Sequence, residues 1–366
     1  MAEQITTYQC PNCNGPLHYD SKLQKLKCDS CGSVFTTEEI DHFCEKKNAE
    51  AVGIDDEKEQ AEAAQTLQWS QEEAKHMRAY HCPSCGAEII TDETTAASSC
   101  PYCGNPTIVP SQFEGSLKPD YVIPFQLTKE EAVNRLKDFY KGKPLLPKAF
   151  RNDNHIEEIK GMYVPFWLYD GNAHVHVRAR TTRVFTHSTS REMITITEHY
   201  LVIRDGNVEY HDVPADASSK MPDDFMDSIE PYDFSKMVPF QMSYLPGYLA
   251  DRYDVTSEKD ADRARIRMKN TAIREAQSTV IGYASYLPEE QSVSIQPQGV
   301  HYAFLPVWML STQYHGRNYL FAMNGQSGKM VGDDLPNDYG KLFLYFILIT
   351  VIGTIIMYFV TKAVFG

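Results

Sequence analysis

The sequence predicts an α+β protein with two small zinc ribbons on its N-terminal side and one transmembrane helix on its C-terminal side. Three observations lead to this prediction. A C-x2-C-x14-C-x2-C cysteine pattern occurs twice. Apolar strand-like segments alternate with amphipathic helical segments over residues 108–340. Residues 342–360 contain no charged residue and no proline. With 366 residues, the chain is long enough for two or three compact units.

The repeated cysteine pattern predicts two Zn²⁺ sites with four thiolate ligands each. Two cysteines on one tight turn face a tetrahedral ion, and a hairpin brings the second pair across. Because four cysteines leave no coordination position for water, both ions are interpreted as structural. Disulfides are the alternative, but they need an oxidising compartment, and the first residues show no secretory signal. The expected ligands are Cys10, Cys13, Cys28 and Cys31 in the first ribbon and Cys82, Cys85, Cys100 and Cys103 in the second.

The residue after the second cysteine of each pair supports this interpretation. It is Gly32, Gly86 or Gly104 in three pairs and Asn14 in the fourth. These residue types adopt positive φ most easily, which lets backbone N–H groups turn toward the thiolates. The ninth cysteine, Cys44, is interpreted as a small, partly buried apolar residue, with a redox role as the alternative.

The charge distribution argues against nucleic-acid binding. The chain carries a net charge of −14, and residues 1–107 hold eight Lys and Arg against eighteen Asp and Glu, a net charge of −10. Residues 80–107 contain no Lys or Arg. Since Lys and Arg on phosphates supply most nucleic-acid affinity, the ribbons are expected to bind proteins instead.

Composition divides the chain into five segments. We expect zinc ribbon 1 over 8–44, an acidic helical or flexible connector over 45–79 and zinc ribbon 2 over 80–107. An α+β domain follows over 108–340, and the transmembrane helix occupies 342–360. Leu67 and Trp69 suggest a docking face in the connector.

The α+β region shows an internal similarity. Val122–Gln126 resembles Met237–Gln241, and each is followed by a predicted helix, the first capped by Thr128 with Glu131 at the capping-box position. An apolar Pro/Trp strand and a hairpin-like segment come next in both halves. Two packed strand–helix–strand–strand units are therefore expected, with chance similarity as the alternative.

Three features of this region bear on function. His174, His176, Arg178 and Arg180 alternate with apolar residues, so they share one strand face; a solvated sheet face is favoured over a metal or anion site. Asp205-Gly206 is expected to form a hairpin turn. Residues 325–330 lack the spacing of a phosphate-binding loop and are expected to form another turn, beginning at Asn324-Gly325.

The segment 342–360 is predicted to cross a membrane. Nineteen helical residues span about 28 Å, close to the ~30 Å hydrocarbon core of a bilayer. Lys341 and Lys362 flank it, so charge bias does not set its orientation. Reduced cysteines favour a large cytoplasmic N-terminal part and a single-pass tail anchor.

Several motifs together resemble the bacterial TFIIB-type zinc-ribbon membrane protein family. The motifs are the twin ribbons, the terminal span and the stretches Glu230–Phe234, Pro246–Asp254, Leu305–Met309 and Ala322–Lys329. The resemblance covers nearly the whole chain. It implies partners among phage-shock-type and SPFH-domain proteins, and a role in envelope stress or membrane organisation.

The leading functional hypothesis is a non-enzymatic, membrane-anchored adaptor that recruits cytosolic proteins to the membrane. A membrane-tethered nucleic-acid-binding regulator is one alternative, which the charge opposes. A membrane-bound enzyme is the other, with the His174/His176 face or Asp223-Asp224 as its possible site. The sequence does not identify the partner, a ligand of the α+β domain or the oligomeric state.

Overall fold

The centre of the fold is a pair of long antiparallel strands, β8 (Lys160–Ser188) and β12 (Ser285–Tyr314). They belong to an eleven-stranded sheet, and three N-terminal strands form a second sheet. The predicted α+β class is thereby confirmed. The computed structural model describes residues 10–13, 15–40, 42–43, 69, 73–74, 76–92, 95, 97, 99–105, 108–111, 117–151, 156, 158–189 and 192–365.

The remaining elements follow in chain order. The strands are β1 (Leu17–Asp20), β2 (Lys25–Cys28), β3 (Val34–Phe35), β4 (Met77–His81), β5 (Glu88–Asp92), β6 (Val109–Ser111), β7 (Tyr121–Val122), β9 (Met193–Asp216), β10 (Val238–Pro239), β11 (Leu249–Asp251), β13 (Arg317–Asn324) and β14 (Met330–Gly332). The α-helices are α1 (Lys129–Tyr140), α2 (Asp223–Ile229), α3 (Ser257–Ser278) and α4 (Tyr339–Phe365). Short 3-10 helices occupy Lys148–Arg151, Phe234–Lys236 and Met242–Tyr244.

Some sequence predictions fall on residues outside this description. Asn14, Cys44 and Leu67 lie there, with most of the connector 45–79. Trp69 is described, and its indole makes an edge-on contact with the Phe240 ring at 5.6 Å.

The two central strands pair about a local twofold axis. Val164 lies opposite Leu305, and the antiparallel register continues on both sides of this pair. Each central strand also has a short parallel neighbour, β11 beside β8 and β7 beside β12. The expected duplication is therefore present, as the units β7–α1–β8–β9 and β11–α3–β12–β13.

The first strand of the second unit differs from the one expected. Val122 pairs with β12 in the same way that Ala250 pairs with β8, and each lies six residues before the N-cap threonine of the next helix. Met237–Gln241 was the expected counterpart of β7, but its strand β10 pairs with β7 itself. The shared Pro-Phe-Gln sequence therefore marks two neighbouring short strands rather than equivalent ones.

Reciprocal hydrogen bonds join the two units. The Trp167 indole donates to the carbonyl of Val255 at 2.9 Å, and the Trp308 indole donates to the carbonyl of Leu127 at 3.2 Å. Each tryptophan thus binds the residue directly before the helix N-cap of the other unit. Because both indoles are buried, these bonds fix the two helices relative to the central strands.

Helix α1 follows the sequence prediction closely. The Thr128 hydroxyl accepts from the Glu131 amide at 3.2 Å, and the Glu131 carboxylate accepts from the Thr128 amide at 3.0 Å. This capping box satisfies two N–H groups that the first helical turn leaves unpaired. Gly142 follows the helix with φ +75°, and the apolar face that α1 buries consists of Ala132, Val133, Leu136 and Tyr140.

Parts of β8, β9 and β12 extend beyond the rest of the sheet. We call these parts the arm and define it as residues 172–188, 193–209 and 285–297. Ala272 and Ala276 of α3 pack against one face of the arm, and the other face is open. The expected hairpin turn at Asp205-Gly206 is wrong. Strand β9 runs through it because it pairs with β8 along almost its whole length, with Gly206 opposite Val175.

Gly161, near the start of β8, allows a test of the side-chain packing close to the local twofold axis. A Cβ atom there would lie 2.5 Å from Cδ1 of Tyr248 and 3.2 Å from the Trp308 ring. We expect Gly161→Ala to lower the free energy of unfolding by about 1–3 kcal/mol through overpacking, as measured by urea unfolding in detergent.

Gly206→Ala is the matched control, since a Cβ there meets nothing within 4 Å. It should leave stability unchanged or raise it slightly. Equal losses in the two variants would contradict the packing argument.

Candidate metal centres

The first cysteine tetrad lies in the small N-terminal sheet. The Sγ atoms of Cys10 and Cys31 are 3.5 Å apart, as are those of Cys13 and Cys28. A tetrahedral ion with metal–sulfur bonds of about 2.3 Å would place its ligands roughly 3.8 Å apart. The observed separations therefore suit ligands that share one ion.

The second tetrad has the same geometry. The distance from Cys82 Sγ to Cys103 Sγ is 3.6 Å, and that from Cys85 Sγ to Cys100 Sγ is also 3.6 Å. Within each tetrad all four Sγ atoms lie within 4.8 Å of one another. The eight cysteines are free thiols rather than disulfides, so the sequence pattern correctly grouped them.

Local backbone turns bring the thiols together. In the second ribbon the Cys82 amide donates to the Ala87 carbonyl at 2.9 Å, and the Gly86 amide donates back to Cys82 at 2.8 Å. Gly32, Gly86 and Gly104 have φ of +74°, +73° and +70°. The predicted positive φ at these glycines is confirmed, and it lets the backbone reverse direction directly after the second cysteine of each pair.

The donor sets fit a tetrahedral ion that prefers sulfur. Thiolate sulfur is the ligand that Zn²⁺ and similar ions take in closed tetrahedral sites. Four sulfur ligands occupy every position of a tetrahedral ion, so a bound metal would hold each ribbon folded and would leave no position for water.

The second ribbon is continuous with the large sheet. Its strand β5 pairs with β11, and β4 pairs with β6 beyond the expected boundary at residue 107. Between Cys100 and Cys103, the Tyr102 hydroxyl donates to the buried carboxylate of Asp251, which also accepts from the Ser218 hydroxyl at 2.6 Å. A short cysteine turn is thereby tied to β11 at the centre of the molecule.

The first ribbon keeps its own sheet and packs its buried side chains into the core of the domain. The Tyr19 amide donates to the Pro246 carbonyl at 3.1 Å, and the Gln24 amide group donates to the Phe125 carbonyl at 2.6 Å. The Tyr19 ring packs edge-on against Tyr244 at 5.3 Å. A cleft of about 790 Å³ is lined by residues of both ribbons and by the start of α1.

The other residues considered for a site do not form one. On the open face of the arm, His176 contacts Asp205 at 2.8 Å and His174 contacts Asn207 at 3.1 Å. Arg178 lies 3.3 Å from Glu289, and Arg180 pairs with the same carboxylate. These exposed cross-strand pairs match the favoured interpretation of a solvated sheet face.

The remaining two features of the sequence have structural roles. Asp223, proposed for an enzyme site, begins α2 and pairs with Arg263 at 3.2 Å. Residues 325–329 form the expected turn between β13 and β14, closed by the Asn324 amide donating to the Lys329 carbonyl at 2.8 Å.

Helix α4 contains the segment predicted to cross a membrane. Tyr339–Val360 has a mean hydropathy of 2.5 over its most apolar window, and none of that window is buried in the fold. By length and composition, this helix can cross a bilayer.

The described residues define a class of protein: an α+β fold with a mixed sheet, two cysteine tetrads that could hold metal ions, and one apolar C-terminal helix. The chain is 36% identical over 342 residues to the "Uncharacterized protein YdjG" of Bacillus subtilis (strain 168), and the match covers 93% of each chain. It belongs to the family of that protein. No family model matches the chain, and no solved structure does. The TFIIB-type zinc-ribbon assignment therefore stays a prediction.

We expect two metal ions per chain in the purified protein, measured by elemental analysis. Cys13→Ser and Cys85→Ser should each leave one ion, because each disrupts a single tetrad. Cys85→Ser should lower the thermal midpoint of the α+β region more than Cys13→Ser does, since only the second ribbon shares a sheet with that region.

Cys44→Ser is the control, because Cys44 lies outside both cysteine patterns. It should keep both ions. Metal-free protein with four disulfides would contradict the assignment of the tetrads.

Asp251 allows a test of the link between the second ribbon and the sheet. Burial raises the pKa of Asp251 to about 7, above the ~3.9 of an unfolded aspartate. Its contribution to stability is therefore complete below about pH 4 and is lost as pH rises through about 7. We expect the free energy of unfolding of wild-type protein to fall by about 1 kcal/mol relative to Asp251→Asn between about pH 6 and 8. Parallel urea-unfolding results for the two proteins across this interval would show that Asp251 does not titrate there.

Proposed function

We propose that the protein is a single-pass membrane adaptor whose zinc ribbons and α+β domain bind cytosolic proteins and hold them at the membrane surface. The observation that carries this proposal is helix α4, whose apolar window makes no buried contact with the described fold. Exposed apolar side chains over a length of this kind are stable in hydrocarbon and unstable in water.

The cysteines support a cytoplasmic position for the domain. All eight tetrad cysteines are free thiols grouped for metal binding, and such groups persist where thiols are kept reduced. We therefore place the large N-terminal part in the cytoplasm.

The ribbons are proposed to act as folded docking modules, with Zn²⁺ as the metal. Structural zinc contributes on the order of 10–16 kcal/mol of folding free energy in small modules. Since all four metal positions are taken by sulfur, we propose no catalytic role for either ion. The acidic balance of the ribbons disfavours nucleic acid and leaves protein partners as the proposal.

The first ribbon offers the more accessible surface. Leu23 is 50% exposed in the β1–β2 turn and Val34 is 41% exposed in β3. Apolar side chains that remain exposed on a metal-stabilised ribbon can anchor a partner protein at little entropic cost. From the family resemblance, we propose phage-shock-type or SPFH-domain proteins as partners, in envelope stress or membrane organisation.

The adaptor proposal can be tested with surface variants of the full chain. Leu23→Asp with Val34→Asp should reduce partner recovery at the membrane about tenfold or more, because a carboxylate would be desolvated at the contact. Leu287→Asp is the matched control, since Leu287 is 63% exposed on the arm. The measurement is quantitative mass spectrometry of proteins crosslinked to the membrane-bound chain in its native host.

A chain ending before Leu342 should bind the same partners in the soluble fraction. Loss of partners only in Leu287→Asp would move the docking site to the arm. Sedimentation of the shortened chain with salt-washed membranes would contradict α4 as the anchor.

A further inference from the structure

Asp170 lies at the base of the arm, where regular pairing among the three strands is interrupted. The β8–β9 register shifts at Asp170. The β8–β12 register shifts between Pro297 and Gly299, and Gly299 lies opposite Asp170. Asp212 has φ +54°, a conformation unusual for a residue other than glycine. Bulges redirect side chains, and here two of them lie opposite Asp170 and bring polar groups to one point.

Two histidines flank the Asp170 carboxylate without hydrogen bonding to it. His301 Nε2 lies 3.6 Å from Oδ2, and His211 Nδ1 lies 3.9 Å from Oδ1. Both separations are too long for hydrogen bonds. They fall within the roughly 4.2 Å that separates two ligands on opposite sides of an ion with bonds of about 2.1 Å.

Further polar groups surround the Asp170 carboxylate. The Asp212 amide donates to Asp170 Oδ1 at 2.9 Å, which fixes the Asp170 carboxylate. The Asp212 carboxylate is near enough to interact electrostatically with Asp170, His301 and His211. The other ring nitrogen of His211 faces Glu209 at 3.6 Å, a position in which ligating histidines commonly have a carboxylate. The ring of His301 is held edge-on against Tyr121 at 5.6 Å.

A cavity gives access to the same carboxylate. It has a volume of about 440 Å³ between α3 and β12, and Asp170 and Gly299 lie on its wall. The rest of the wall is largely apolar, with Ala264, Met268 and Ile295 among its members. Asp170 is 21% exposed, and His211 and His301 are 66% and 40% exposed, so a small ion from solvent can reach all three.

We propose that Asp170, His211 and His301 bind a divalent transition-metal ion, with Asp212 as a fourth ligand. Imidazole and carboxylate are the ligand types that such ions take when sulfur is absent. Of the residues the structure describes, only the two cysteine tetrads have three or more ligand atoms already within 4.8 Å of one another. Binding at Asp170 therefore requires the exposed His211 ring to turn toward the shared carboxylate.

The arm offers a natural control. His174 and His176 also lie beside a carboxylate, Asp205, but that carboxylate already has a hydrogen bond to His176 at 2.8 Å. Binding a metal there would break this bond, whereas no hydrogen bond joins the Asp170 carboxylate to either flanking ring, at 3.6 and 3.9 Å. The two histidine groups therefore differ in whether metal binding must first break a hydrogen bond.

The test uses full-length protein in detergent with both tetrads loaded with zinc. Ni²⁺ is titrated by isothermal calorimetry, and retained zinc is measured in the same samples. We expect one additional ion per wild-type chain. Asp170→Asn, which keeps the acceptor for the Asp212 amide, should weaken binding about tenfold or more, as should His301→Gln. His176→Gln should bind as wild type does.

Two results would overturn the proposal. One is wild-type protein that takes up no Ni²⁺ while its zinc content stays at two. The other is an additional ion that is lost in His176→Gln and kept in Asp170→Asn. Because the readout is ion binding and zinc retention, failure here leaves the adaptor proposal intact.

Discussion

The antiparallel pairing of β8 with β12 is the constraint on which the rest of the structure depends. The two strands contain 29 and 30 residues and pair from Ser285 to Met309 of β12. Each central strand also has a second antiparallel partner, β9 or β13, and a short parallel one, β11 or β7. A misaligned ladder would separate each tryptophan from the carbonyl it binds in the other unit, so the register of this one pair sets the positions of both helices.

The sequence was most informative where structure depends on close neighbours along the chain. The cysteine tetrads, the positive-φ glycines, the capping box at Thr128 and the apolar helix α4 follow from spacing and residue type. The duplicated fold was also visible, because each unit repeats an apolar strand with Pro and Trp. The sequence did not show which strands of the two units correspond. Because Met237–Gln241 resembles Val122–Gln126, it pointed to β10 as the counterpart of β7, whereas the counterpart is β11.

The structural features that the sequence did not predict depend on pairing between residues far apart in the chain. Asp205-Gly206 has a typical turn composition, but β8 extends far enough to keep β9 paired through it, and tertiary pairing overrides local preference. The bond between Tyr102 and Asp251 joins residues 149 positions apart. The Asp170 cluster arises from irregularities in β9 and β12, both opposite Asp170 of β8. No local pattern encodes which strands will meet, so such a site becomes visible only in the folded chain.

The attachment of the second ribbon changes what its metal can do. A ribbon on a flexible tether would fold and unfold independently of its neighbour. Here β5 pairs with β11, and Tyr102 lies between two of the ligand cysteines while its hydroxyl binds Asp251. An ion bound by this tetrad would hold the turn that contacts the buried carboxylate, so its loss would also destabilise the central sheet. The first ribbon lacks such a strand connection, which suits it better to binding a partner.

Helix α4 and the arm leave the molecule at opposite ends of the central ladder. At the start of α4, the Asp338 amide donates to the Leu145 carbonyl at 2.7 Å. The following 3-10 helix carries Phe150, which packs against Tyr314 at the end of β12. The arm adjoins the other end of β12, at Ser285, and thirty strand residues have a contour of about 95 Å. In the anchored protein proposed above, the arm is therefore the part most distant along β12 from the membrane attachment. A surface there can meet cytosolic proteins without competing with lipid, whereas the ribbons pack near the local twofold axis at Val164 and Leu305, toward the other end of the ladder.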